Sequence, residues 1–120
     1  MTSAKQAVKE ILDELPTLLA VAVVETETGM PLASHSNLAD FDIETAAAYN
    51  TEVVKQKLRA VQALKLNQTV QDILLTLTDQ LHLLKLSADG GKFIYLAVNA
   101  ADTNLAMARQ VLKSQASVLN

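Results

Sequence analysis

Apolar residues at Ala4, Val8, Ile11, Leu12 and Leu15 recur at the spacing of one face of an α-helix. Ser3 followed by Gln6 has the form of a capping box, in which each side chain satisfies the other residue's backbone N–H, so a helix is predicted from Ser3 to Glu14. Pro16 stops it, because its ring nitrogen cannot donate and the residue before it is pushed out of the helical region. The pattern then changes period. Leu18 to Glu25 is rich in β-branched residues and runs into Thr26-Glu27-Thr28-Gly29, which predicts a strand buried on both faces. Met30 to Ser36 reads as a second strand whose Pro31 suits an edge position. Gly29 between them can supply the positive φ that a tight hairpin requires.

The longest periodic segment, Ile43 to Leu66, is free of glycine and proline and predicts a long helix capped by Asp40 or Asp42. Projected at about 100° per residue, Ala46, Ala47, Tyr49, Val53, Val54, Leu58, Ala60, Val61 and Leu64 spread over about half the circumference, wider than the stripe that covers one sheet. Asn50 and Lys57 sit inside that arc. Surplus apolar circumference of this kind predicts that part of the helix meets another chain.

Beyond Asn67, Gln71, Ile73, Leu75 and Leu77 alternate with Asp72, Thr76 and Thr78, as in a half-exposed antiparallel strand from Gln71 to Thr78. Thr78-Asp79-Gln80 turns the chain into Leu81 to Ser87, and Ala88-Asp89-Gly90-Gly91 turns it again into Lys92 to Asn99. Asp102 or Thr103 is expected to cap a last helix with Leu105, Ala108, Leu112, Ala116 and Leu119 on its inner face. The order α-β-β-α-β-β-β-α predicts an α+β fold, a five-stranded antiparallel sheet with one long helix on one face and two terminal helices on the other. No internal repeat or linker divides residues 1–120, so a single domain is expected.

Composition narrows the chemistry. The chain has no cysteine, which excludes disulfides, thiolate zinc sites, iron–sulfur clusters and cysteine nucleophiles. A net charge of −3 and 3% aromatic residues argue against binding nucleic acid, through either phosphate attraction or base stacking. The longest apolar run, Leu18 to Val24, is far shorter than the roughly 20 residues that span a bilayer, so no membrane insertion is expected. The N-terminal residues lack the pattern of a secretory signal, and together with the missing cysteines this sets the cytoplasm as the expected compartment.

Candidate chemistry is sparse. His35 and His82 both fall in predicted strands without a second ligand at metal-binding spacing, so both read as structural or surface residues and no metal is expected. With three glycines the chain has neither a dinucleotide fingerprint nor a phosphate-binding loop, and no cofactor is expected. Asp89-Gly90-Gly91-Lys92 reads as a hairpin turn rather than an anion cradle. The carboxylates of Asp13 and Glu14, of Glu25 and Glu27, and of Asp40, Asp42 and Glu44 belong to helix ends and turns. Arg59 and Arg109 read as surface salt-bridge partners. No grouping of nucleophile, base and orienting residue appears, so the chain is not expected to be an enzyme.

Two stretches carry a resemblance. Ala22-Val23-Val24-Glu25 followed by Thr28-Gly29-Met30-Pro31-Leu32-Ala33, and Asn99 to Leu105 followed by Ala108-Arg109 and Leu112, resemble the first hairpin and the closing strand and helix of the roadblock family. These are small domains related to dynein light-chain roadblock proteins and to prokaryotic regulators of Ras-like GTPases. One departure is that Ala63 to Val70 contains no glycine, where many prokaryotic members carry one. The resemblance implies a homodimer in which the long helix and the third strand meet their counterparts across a two-fold axis. On this chain those positions are Ala47, Asn50, Val54, Lys57, Leu58, Val61, Ile73, Leu75 and Leu77. It also implies a non-enzymatic scaffold that binds a Ras-like small GTPase or another partner protein and modulates its nucleotide cycle or placement, with a heteromer of paralogous chains as the alternative to the homodimer. The alternative is a small-ligand sensor, which would need polar groups such as Tyr49, Tyr95 and His82 to converge on a cavity.

Overall fold

The computed structural model describes all 120 residues. Its elements are α1 (Ala4–Glu14), β1 (Ala20–Glu25), β2 (Pro31–Ser36), α2 (Ile43–Ala63), β3 (Ile73–Thr76), β4 (Gln80–Leu86), β5 (Lys92–Asn99) and α3 (Leu105–Val118), in the predicted order. The strands form one antiparallel sheet ordered β2-β1-β5-β4-β3. Pro31 does lie on an edge strand. β1 and β5 are central, which is why both are almost continuously apolar.

Strand alternation sends side chains to two separate cores. Val21, Val23, Leu83, Ile94, Leu96 and Val98 pack against α1 and α3, whose Ala7, Val8, Ile11, Ala108, Val111, Leu112 and Ala116 complete that layer. Ala20, Ala22, Val24, Leu84, Phe93, Tyr95 and Ala97 face the other way, toward Ala47 and Val54 of α2. The small residues Ala20, Ala22, Ala47 and Ala97 let α2 approach the sheet closely. A one-residue bridge between Thr2 and Leu119 ties the chain ends together beside α1 and α3.

Helix ends depart from the sequence reading in instructive ways. Ser3 caps α1 by accepting from the Gln6 N–H at 3.1 Å. The Gln6 side chain instead donates to Glu10 at 2.8 Å, so the reciprocal half of the capping box does not form. Asp42 caps α2, accepting from the Thr45 N–H at 3.0 Å and the Thr45 hydroxyl at 2.7 Å. Those two bonds hold its carboxyl below the usual carboxylate range. α3 is capped by neither Asp102 nor Thr103: Asn104 accepts from the Met107 N–H at 3.0 Å, because a turn held by Asn99 delays the helix.

α2 stops at Ala63, short of the expected Leu66, in a Schellman motif. The Lys65 N–H bonds to the Gln62 carbonyl and the Leu66 N–H to the Val61 carbonyl. Lys65 takes φ 55°, the left-handed position where glycine would be free of strain. β3 is also shorter than Gln71 to Thr78. After Thr76 the chain is already turning, with the Leu77 N–H bonded to the Gln80 carbonyl at 2.9 Å. No helix is long and apolar enough to cross a membrane.

Candidate functional site

α2 crosses one face of the sheet over β1 and β2, leaving β4 and β3 on that face without a helix above them. Its position is set at the β1–β2 turn. Gly29 adopts φ 76°, and a Cβ there would stand 3.3 Å from the Thr51 hydroxyl oxygen, so the turn and the close approach of α2 both call for glycine. Lys55 Nζ donates to the Glu27 carbonyl at 2.9 Å, fixing that flank of α2 toward the β2 edge.

The rest follows from helix geometry. With Ala47, Thr51 and Val54 buried against the sheet and Lys55 turned toward β2, the opposite flank carries Ala46, Asn50, Val53, Lys57, Val61 and Leu64. Below that flank, around the fully buried Leu84, lie the half-buried Leu86 and His82 of β4 and Ile73 and Leu75 of β3. The pairings of Ile73 with Leu84 and Leu75 with His82 put these side chains on the same face as α2. An apolar re-entrant corner results, walled by helix and floored by sheet.

Beside it lies an unpaired strand edge. Leu77 is hydrogen-bonded to Gln80, and antiparallel pairing alternates, so the backbone N–H and C=O groups of Leu74 and Thr76 point away from β4. No strand of this chain accepts them. A free edge next to an open apolar face is a surface that proteins ordinarily cover.

Of the nine sequence-expected residues, Asn50, Lys57, Val61, Ile73 and Leu75 line this corner. Ala47 and Val54 are fully buried against the protomer's own sheet and form its back wall. Asn50, Val61, Ile73 and Leu75 are half-buried, while Lys57, Leu58 and Leu77 are exposed. Asn50 Nδ2 donates to the Ala46 carbonyl at 2.8 Å, which leaves the other end of its amide available. Tyr49 is 73% exposed on the outer side of α2, so it is not one of a set of inward polar groups. Leu86 belongs to the corner and was missed, although it shares the strand alternation of Leu84.

His82 and Tyr95 do come together. The Tyr95 hydroxyl is 3.3 Å from His82 Nδ1 and the rings meet edge to face, while His82 Nε2 lies 2.8 Å from Gln80 Oε1. Phe41 stacks on the other side of Tyr95. Burial pushes the His82 pKa down and the Tyr95 pKa up to about 12, so both are held neutral. The pair satisfies itself rather than converging on a cavity.

At the β4–β5 turn the Gly91 N–H donates to Asp89 Oδ1 at 2.8 Å, as does the Ser87 hydroxyl at 3.0 Å, so a carboxylate of the chain already occupies the turn. The same bonds hold Asp89 below the usual carboxylate range. Arg109 does form a salt bridge, to Asp72 at 3.0 Å. No group of histidine and carboxylate side chains is arranged to hold a metal.

No protein-family model and no curated protein sequence matches the chain. Solved structures do. MglB of Myxococcus xanthus superposes with a TM-score of 0.80 at 11% identity, over 92% of this chain and 85% of that one. A Roadblock/LC7 domain from Streptomyces avermitilis gives 0.80 at 11% identity, over 96% and 92%. An MglB described with a tetrameric arrangement gives 0.75 at 14% identity, over 92% and 80%. The three helices and the five-stranded sheet of this chain have the fold of a roadblock-type domain.

Proposed function

We propose that the chain is a non-enzymatic scaffold that works as a homodimer, binds a Ras-like small GTPase and modulates that GTPase's nucleotide cycle or placement. One observation carries the reading: the apolar flank of α2, the uncovered half of the sheet and the unpaired β3 edge are contiguous. A two-fold axis beside β3 satisfies all three at once. β3 pairs antiparallel with its copy, and the α2 flank of each protomer lies over the open half-sheet of the other. Asn50 and Lys57 then fix the register of the two helices, as polar residues do in other helical interfaces. The fold's occurrence in an MglB with a tetrameric arrangement supports self-association. The GTPase partner rests on the likeness to roadblock regulators, and a protein surface can act on a GTPase by ordering its switch segments without a catalytic group of its own. A paralogous chain with the same corner would satisfy the same geometry.

Light scattering at micromolar concentration tests the dimer, and a wild-type mass equal to one chain would refute it. Val53→Glu, on the open flank, is expected to halve the mass while the circular dichroism of the protomer is kept. Affinity capture with the dimer is expected to retain a small GTPase in one nucleotide state. Retention of none, by a verified dimer, would leave a scaffold for other proteins.

A further inference from the structure

The face of the sheet opposite α2, covered by α1 and α3, has a feature of its own. Between α3 and the β3–β4 edge lies an open cleft of about 470 Å³ lined by Asp72, Lys85, Leu105, Arg109, Gln110 and Lys113. Three of the chain's ten Lys and Arg residues converge there, in a protein of net charge −3. Lys85 occupies an inward position on an inner strand, next to the buried Leu83 and Leu84, where a hydrocarbon side chain would be expected. The β3–β4 register carried one residue further places Asp72 opposite Lys85, yet the two do not pair. Asp72 turns to Arg109, accepting from Nε at 3.0 Å and from Nη2 at 3.3 Å. Lys85 donates to the Gln71 carbonyl at 2.6 Å, and Lys113 stands one helical turn beyond Arg109 on the same side of α3. One carboxylate thus faces three cations, and Lys85 and Lys113 have no acidic partner in the chain.

We propose that this cleft docks an acidic peptide segment of a partner protein, with Lys113 and Lys85 pairing with its Asp or Glu side chains and Leu105 contacting its aliphatic carbons. Charge complementarity selects the occupant: two unpaired ammonium groups on an open, partly apolar wall suit spaced carboxylates on a chain. The Asp72–Arg109 bridge anchors the cleft wall. The site lies on the α1 and α3 side of the sheet, away from α2.

A short fluorescent peptide of alternating Glu and Ala, with Gln-Ala and Lys-Ala peptides of equal length as controls, tests this by fluorescence anisotropy on the full chain. The Glu peptide is expected to bind, to weaken with added salt, and to lose about fivefold in affinity with Lys113→Gln. Lys85→Met keeps the buried stem and is expected to cost a similar factor, with both variants checked for unchanged thermal unfolding. Equal binding of the Gln peptide, or affinity unchanged in both folded variants, would overturn the proposal. So would competition by millimolar inorganic phosphate as effective as by unlabelled Glu peptide, which would mark a site for small anions.

Discussion

The two faces of one sheet are finished differently. On the α1 and α3 face two helices cover the strands, and the resulting cluster of fifteen buried residues runs from Ala7 to Leu119. On the α2 face a single helix covers β1 and β2, nine residues are buried, and Ile73, Leu86 and Val53 are left at the rim. The strands send apolar side chains to both sides, larger branched ones toward α1 and α3 and several alanines toward α2, so strand composition alone does not leave one face open. The number of helices does. A closed face tells how the protomer is stable, whereas a half-closed face with apolar walls tells where it expects company.

The sharpest way to test that contrast is to remove volume from the closed side. Ile11 has no exposed surface, and Ile11→Ala is expected to destabilise the protomer by about 2–5 kcal/mol, through lost burial and the cavity left behind. Thermal or denaturant unfolding at several protein concentrations measures this. The loss should not depend on concentration. Leu86→Ala on the open side, where the residue is half-buried, should cost less at high dilution and more as concentration rises if the proposed dimer completes its burial. Equal losses at every concentration would erase the distinction between the faces.

Next in size is a charge where the sheet-facing stripe of α2 runs out past the strands. Leu58, 38% exposed, continues the line of Ala47, Thr51 and Val54 and borders a hollow shared with Val61 and Leu86, and Leu58→Glu is expected to weaken the proposed self-association by about 2 kcal/mol. Sedimentation or light scattering over a dilution series reads it as a shift of the monomer–dimer midpoint. A variant that keeps its dimer would move the interface off α2.

Most of this was legible in the sequence, for reasons that differ by region. Element order, the edge position announced by Pro31 and the tight turn at Gly29 were readable because local chemistry dictates them. The excess apolar arc of α2 was readable because periodicity reports how much circumference is greasy. Periodicity does not report which flank faces which strand. That required Lys55 reaching Glu27 and Gly29 admitting Thr51, contacts between residues more than twenty apart in the chain. For the same reason Tyr49 was assigned inward and Leu86 overlooked. The cap at Asn104 was missed because three consecutive capping residues, Asp102, Thr103 and Asn104, are equivalent until the preceding turn selects one.

A third, smaller effect concerns the segment that leaves α2 for the open edge. Lys65 holds a left-handed conformation that costs an ordinary residue about 1 kcal/mol, so Lys65→Gly is expected to raise stability by up to that amount. The gain should appear as a higher midpoint of unfolding with the oligomeric mass unchanged. If Lys65→Gly altered the dimer midpoint instead, the turn would be part of the interface and the open face larger than the corner described above.

The smallest effect is also the most local to the open face, where the pair formed by His82 and Tyr95 stands on the α2 side of the sheet. Burial lowers the His82 pKa from 6.5, so the folded state resists the proton that the unfolded chain accepts. Stability is therefore full above pH 6.5 and declines as pH falls below it, until the folded-state pKa is passed. Tyr95 behaves oppositely. Its pKa is raised from 10.0 to about 12, so the unfolded chain loses its proton first, and stability declines as pH rises through that interval. Unfolding midpoints measured across both limbs should show His82→Gln flattening the acid limb and Tyr95→Phe flattening the alkaline one. A second chain seated over β4 would bury His82 further and deepen the acid limb as protein concentration rises. An acid limb that ignores concentration in a chain shown to dimerise would place the partner away from His82, and with it away from the half of the sheet that α2 leaves bare.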